Sequence, residues 1–337
     1  MKIEDLGEIG LIERIVKEFH ADQQIVPAGA GEDDCAIIDI EKARGGFKYL
    51  VVTTDTLQES THFPTGISPF QMGWSAVAVN LSDIAAMGAY PFAFTIAMGL
   101  PAQAAVSFVD ELVAGIETCA SSYTTSVVGG GITRSKELIL TGTCIGFADN
   151  PIRRSGAQVG DLLCVTGSLG NAALALKVLK GELEVPDHIA ALAKRALFQP
   201  VPKVKEGIII ANSGLATSMM DISDGLALSL AEIAKKSNVG AELHVDDIPI
   251  LSEELRWEGS LDIPMHKRGE LALYYGGDYE LLFTIDSRVL HHEELMEKLR
   301  REVNMSIIGT IMPPEEGIYI KKGELKGKMD IRGYQHF

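Results

Sequence analysis

The sequence is poor in cysteine, in tryptophan and in positive charge. Four cysteines, Cys35, Cys119, Cys144 and Cys164, stand far apart with no CxxC pair. That spacing excludes a disulfide scaffold and a zinc ribbon, and it suits a reducing cytoplasm. Lysine and arginine number 30 against 46 aspartates and glutamates, a formal net charge of -16 over 337 residues. Such a balance leaves no electrostatic case for nucleic acid or an anionic membrane as a partner. No clean apolar run of membrane-spanning length occurs. The most apolar stretch, 70–100, is broken by Asn80, Ser82, Asp83 and Pro91 and reads as a buried helix followed by a buried strand. The standard nucleotide signatures GxxxxGK[ST] and GxGxxG are missing too. Gly129-Gly130-Gly131 and Gly167-Ser168-Leu169-Gly170 are the nearest substitutes, and each alone is weak.

What the chain does contain is alternating strand and helix patterning. Hydrophobic residues make up 46% and charged residues 23%, a globular composition of a size for two domains. An amphipathic helix opens the chain through Leu11, Ile12, Ile15, Val16 and Phe19. Strands are expected over 49–54, 92–98, 126–128 and 138–147. Helices are expected from the cap pair Ser68-Pro69 to about Met87 and over 104–121. The turn Asp149-Asn150-Pro151 marks a boundary. Beyond it, strands over 162–166, 219–222, 241–245, 281–285 and 306–311 alternate with helices over 171–179, 225–236 and 291–303. Strict βαβ regularity is lacking, so the fold class is α+β, with domains 1–149 and 150–337.

Carboxylates carry the chemical signal. Asp33-Asp34 follow a flexible stretch, and Asp55 closes the first strand. Asp83 sits inside an apolar helix, where a carboxylate must be paired or hold a metal. Asp221 and Asp224 flank Ser223 at a strand–helix junction, where Asp224 also suits a helix cap. Asp278 and Glu280 follow Gly276-Gly277. Acids gathered at strand ends suit hard cations such as Mg²⁺, which would reconcile an acidic chain with a phosphorylated substrate. No Ser/His/Asp triad and no HExxH helix is legible.

Taken in order, these motifs resemble one family. Asp33-Asp34-Cys35-Ala36, Thr53-Thr54-Asp55-Thr56-Leu57, His62-Phe63, the run from Ala78 through Asn80-Leu81-Ser82-Asp83 to Ala89, Arg154-Ser155-Gly156-Ala157, Asp221-Ile222-Ser223-Asp224-Gly225-Leu226, Asp278-Tyr279-Glu280-Leu281 and Gly333-Tyr334-Gln335-His336-Phe337 are similar to thiamine-monophosphate kinases. The resemblance spans essentially the whole chain. It implies a two-domain PurM-like fold of the aminoimidazole-ribonucleotide synthetase superfamily, dimeric through the N-terminal domain. It implies Mg²⁺-dependent transfer of the ATP γ-phosphoryl group to thiamine monophosphate in the cytoplasm, with several Mg²⁺ ions. Position by position, Asp34, Thr53, Thr54, Asp55, Asp83, Asp221 and Asp224 match metal-site residues, with Asp55, Asp83 and Asp221 central to catalysis. Gly130, Gly131, Arg154 and Ser223 match nucleotide contacts, and His62, Asp278 and Tyr334 match substrate contacts.

The chain departs from the family's pattern twice. Gly131 stands where the family has a metal-site aspartate, in a glycine loop expected over 128–133. One acid is also lost where Gly276-Gly277 meets Asp278 directly. A sister enzyme with another phosphate acceptor, or a non-catalytic nucleotide-binding homologue, remains an alternative. The selenophosphate branch is disfavoured because no cysteine precedes Cys35, and the hydrogenase-maturation branch because Gln335-His336-Phe337 carries no terminal cysteine.

Overall fold

β-Branched residues run through Val51-Val52-Thr53-Thr54, and the chain responds with a strand longer than that run. Strand β1 covers Tyr49–Gln58 because its ladder to β4 (Ile139–Ala148) continues to the pair Gln58–Ile139. Asp55 therefore lies within the strand rather than at its end. The structure, a computed structural model, describes residues 14–15, 17–20, 22–25, 40–43, 45–256, 265–291 and 293–334. Residues 11–13 and 16 of the opening helix over 11–19 and the whole Asp33-Asp34 motif fall outside these residues.

Two compact units divide the chain: Met1–Ile84 with Ala89–Asn150, and Ala85–Gly88 with Pro151–Phe337. The first is built on a four-stranded sheet in the order β1-β4-β2-β3, where β2 is Tyr90–Leu100 and β3 is Ser126–Arg134. Only β2 and β3 run parallel. Helix α1, Pro69–Ala86, is apolar nearly all round and buried accordingly. Helix α2, Val106–Ser122, buries Val109, Leu112, Val113 and Ile116 along one face.

Strand β3 corrects the expected glycine loop. Gly129, Gly130 and Gly131 pair with Thr95, Ile96 and Ala97 as part of the sheet. Glycine is a poor strand former, so propensity hides this. A Cβ at Gly130 would lie 2.0 Å from the Ile96 carbonyl oxygen, so the strands approach more closely than any side chain allows.

In the second unit, a seven-stranded sheet has the order β11-β10-β7-β9-β5-β8-β6. Its strands are β5 (Leu162–Thr166), β6 (Ala216–Asp221), β7 (Gly240–His244), β8 (Leu281–Ile285), β9 (Met305–Met312), β10 (Ile318–Lys322) and β11 (Leu325–Lys328). The accompanying helices are α3 (Asn171–Leu179), α4 (Asp187–Phe198), α5 (Val204–Asn212), α6 (Leu226–Ser237), α7 (Met265–Tyr274) and α8 (Glu293–Val303). Leu163, Val165, Ile222, Leu226, Leu230 and Leu282 form the centre of its core. Among the described residues, no helix is long and apolar enough to cross a membrane.

Candidate functional site

In the first unit, α1 delivers two polar side chains to β1. Thr53 donates its hydroxyl to an Asp83 carboxylate oxygen. Asn80, fully buried, accepts the Asp55 N–H at 3.1 Å and donates to the Ala76 carbonyl at 2.9 Å. Room for Asn80 exists because Gly142, opposite Asp55 on β4, has no side chain; a Cβ there would lie 2.5 Å from Asn80 Nδ2. The structure thus brings Thr53, Asp55 and Asp83 together, with Asn80 as a fixing residue that the acid count overlooked. Thr54 separates from them. Strand alternation turns its hydroxyl to the opposite face, where it pairs with Thr143 at 2.8 Å, as Thr56 does with Thr141 at 3.0 Å.

His62 closes a short helical turn just after β1. Its Nδ1 accepts the Gln58 N–H at 3.0 Å and lies 2.7 Å from the Thr61 hydroxyl. Glu137 holds this turn by accepting from Gln58 Nε2 at 2.6 Å and from the Ser60 N–H at 2.9 Å. Nothing in the motif pattern had singled out Glu137. Gly130 and Gly131 lie on β3, the edge opposite β1, three strand spacings or about 14 Å from Asp55.

In the second unit, three stretches of sequence converge. The segment 221–225 leads from β6 into α6; Asp221 is buried and Asp224 exposed. The loop 276–280 lies along it, with the Gly277 N–H donating to the Ser223 carbonyl at 2.9 Å, Tyr279 N–H to the Ile222 carbonyl at 3.1 Å, and Ile222 N–H to the Glu280 carbonyl at 2.7 Å. The tail arrives from the other side, where the Tyr334 N–H donates to the Asp224 carbonyl at 3.1 Å. Tyr334, 44% exposed, is therefore held beside the acids rather than pinned into the core.

Asp278 requires a correction. Its two oxygens accept the Gly170 N–H at 2.6 Å and the Ala172 N–H at 3.0 Å, so the carboxyl closes the start of α3 instead of meeting a substrate. Burial pushes its pKa up to about 7, against the opposing pull of those backbone donors. Glu280 is also buried, paired with Lys203 at 3.1 Å and accepting from Thr166 at 2.6 Å; burial raises its pKa, and Lys203 opposes the rise. Arg154 lies at the far end of α6 from Asp224, about 18 Å away along a helix of 12 residues.

Among the described residues, no three His, Cys, Asp or Glu side chains cluster tightly enough to hold a metal ion by themselves. The donors present are carboxylates and hydroxyls, a set that fits Mg²⁺ and not zinc. Among the described residues the cysteines are poor thiolates: burial raises the pKa of Cys119, Cys144 (to about 12) and Cys164.

Residues 32–148 match the model of the AIR synthase related protein, N-terminal domain, and residues 158–321 that of the C-terminal domain. The thiamine-monophosphate kinase of Methanospirillum hungatei is 37% identical over 306 residues, covering 90% of this chain and 92% of that protein. The crystal structure of thiamine-monophosphate kinase from Stenotrophomonas maltophilia K279a superposes with a TM-score of 0.78 at 31% identity, covering 92% of this chain and 95% of the other. AaThiL complexed with AMPPCP and TMP gives a TM-score of 0.72 at 29% identity, over 100% and 99% of the two chains. With a two-domain match and relatives of this similarity, the chain belongs to the AIR synthase related family, among the thiamine-monophosphate kinases.

Proposed function

We propose that the protein transfers the γ-phosphoryl group of ATP to the phosphate of thiamine monophosphate, giving thiamine diphosphate and ADP. The observation that carries this reading is the Thr53–Asp55–Asp83 cluster fixed by Asn80, in a chain that matches a relative solved with AMPPCP and TMP. In this reading Thr53, Asp55 and Asp83 are Mg²⁺ ligands within the first unit and Asp221 and Asp224 are Mg²⁺ ligands within the second, and Mg²⁺ would supply charge that neutralises phosphate. Asp34 belongs to the same proposed set from sequence alone. The acceptor phosphate is already ionised at neutral pH, so its oxygen attacks the γ-phosphorus in line while the bond to the ADP oxygen breaks. No general base is needed, in keeping with a site that offers positioning and charge and no catalytic dyad. The same reading takes His62 and, separately, Tyr334 as acceptor contacts, and Ser223 and Arg154 as nucleotide contacts. A reducing, cytoplasmic setting suits the thiol cysteines.

We place a homodimer on the first unit's sheet. Leu50 and Val52 are exposed on the same face as Thr54 and Thr56, an uncharged surface on one protomer. Among the described residues, β1 and β3 are both unpaired edges. Across about 14 Å, an acid at position 131 is out of reach of an ion held by Asp55 in the same chain. Pairing along these edges would set position 131 of one protomer near Asp55 of its partner.

Product formation with ATP, Mg²⁺ and thiamine monophosphate tests the reaction. Asp55→Asn and Asp83→Asn should each lower kcat by about 100-fold or more at unchanged fold. Full turnover in both variants would sink the metal assignment. The acid lost where Gly277 meets Asp278 directly favours a second reading, a different phosphate acceptor, which a panel of phosphorylated acceptors separates from the first.

A further inference from the structure

The turn that carries Arg154 has almost no secondary structure of its own, yet it is tied down at a single atom. Ser237, the last residue of α6, accepts the Gly156 N–H at 3.1 Å and the Ala157 N–H at 3.2 Å through its hydroxyl oxygen. The same hydroxyl lies 3.4 Å from the Arg154 carbonyl, to which it donates. One serine therefore uses both its acceptor capacity and its proton on one turn. The turn cannot easily take another path. Gly156 has φ +128°, and a Cβ there would lie 2.4 Å from the Thr217 carbonyl oxygen. The neighbouring Arg153 carbonyl accepts the Met219 N–H at 2.9 Å, which ties the other side of the turn to β6. Arg154 is itself exposed, so its backbone is what fixes where its guanidinium can reach.

Helix α6 thereby connects two parts of the nucleotide machinery. Its first turn follows Ser223 and Asp224, and its last residue holds the Arg154 turn. The geometry assigns Ser237 as a positioning residue for ATP: it sets Arg154 at a fixed distance along α6 from the acids at the helix's other end. This inference rests on the reading of Arg154 as a nucleotide contact. Ser237 touches no substrate atom; it acts through Arg154. A serine that merely closed the helix end would change stability and leave the two substrates equally affected.

The test measures binding of a non-hydrolysable ATP analogue with Mg²⁺ by calorimetry, and KM for ATP and for thiamine monophosphate separately. Ser237→Ala should weaken analogue binding and raise KM for ATP by about fivefold to tenfold, since two N–H groups lose their acceptor. KM for thiamine monophosphate should change less than twofold, and Ser237→Thr, which keeps the hydroxyl, should restore ATP affinity. In an Arg154→Ala background, Ser237→Ala should add little, because both act on the same contact. Normal ATP affinity in Ser237→Ala alongside weakened affinity in Arg154→Ala overturns the positioning role alone. Normal affinity in both variants overturns the assignment of Arg154 and the positioning role with it. A loss of melting temperature with equal effects on both substrates, or fully additive effects, assigns Ser237 to the helix end instead. The binding arm needs no acceptor, so it stands even if thiamine monophosphate is not the substrate.

Discussion

Gly131 and Tyr334 are the two side-chain positions at which this chain's own chemistry is most directly measurable. A Cβ at Gly131 meets nothing within 4 Å, and its backbone is not in the left-handed region, so aspartate can be introduced there without strain. If position 131 faces a bound Mg²⁺, Gly131→Asp should lower the Mg²⁺ concentration needed for half-maximal activity, because it adds a carboxylate of the kind Mg²⁺ favours. Titration of activity with Mg²⁺ in both forms checks this; an unchanged requirement in a folded variant removes position 131 from the metal site. If Tyr334 binds the acceptor as proposed, its aromatic face would meet a cationic thiazolium, an interaction of roughly 0.5–2 kcal/mol. Tyr334→Ala should raise KM for thiamine monophosphate by about threefold to tenfold and leave KM for ATP nearly unchanged. Equal effects on both would make the residue a clamp for the tail.

At the level of single elements, α3 depends on a carboxyl supplied from 106 to 108 residues away in sequence. The pKa of Asp278 rises from 3.8 unfolded to about 7 folded, so the folded state holds its proton more tightly. Stability from this group is therefore full below about pH 4 and is lost as pH rises toward 7, by at most about 4 kcal/mol. The melting temperature of Asp278→Asn should fall less over that window than that of the parent, and parallel curves would refute the assignment. Elements built on local signals, such as α3 and β8, were legible in the sequence to the residue. Those resting on distant partners were not. The glycine strand β3 is held by its ladder to β2 against its own propensity, and the Asp278 cap forms only once β8 has brought its motif to α3. Helices α4, α5 and α7 gave no motif to anchor a reading. Of the candidate site, the Thr53–Asp83 pairing and the position of Asp55 on the same strand face follow from local motifs on one strand and one helix. Asn80, Glu137 and Ser237 matter through hydrogen bonds to backbone groups, which leave no mark in a residue pattern.

For the molecule as a whole, the uncharged face bearing Leu50 and Val52 predicts association. Val52, 60% exposed, has nothing charged to displace on its own strand face. If the proposed dimer forms on this face, Val52→Glu should yield monomer in sedimentation experiments and lower activity sharply, because a buried, unpaired charge costs several kcal/mol at an interface. It should also abolish any gain from Gly131→Asp if that acid serves the partner's ion. A monomeric, fully active Val52→Glu variant would confine the site to one chain.

The neighbours Gly130 and Gly131 differ in one further respect, their mutational freedom. At Gly130, any side chain would drive into the Ile96 carbonyl and force β2 and β3 apart; at Gly131, the space is open. A single base change in any glycine codon yields an acidic residue, so a carboxylate at position 131 lies one mutational step away with no structural barrier in the path. Selection under Mg²⁺ limitation should reach acids at position 131 repeatedly while position 130 stays glycine. The two sites thus form a natural experiment in which adjacent codons face the same mutation rate and opposite constraints.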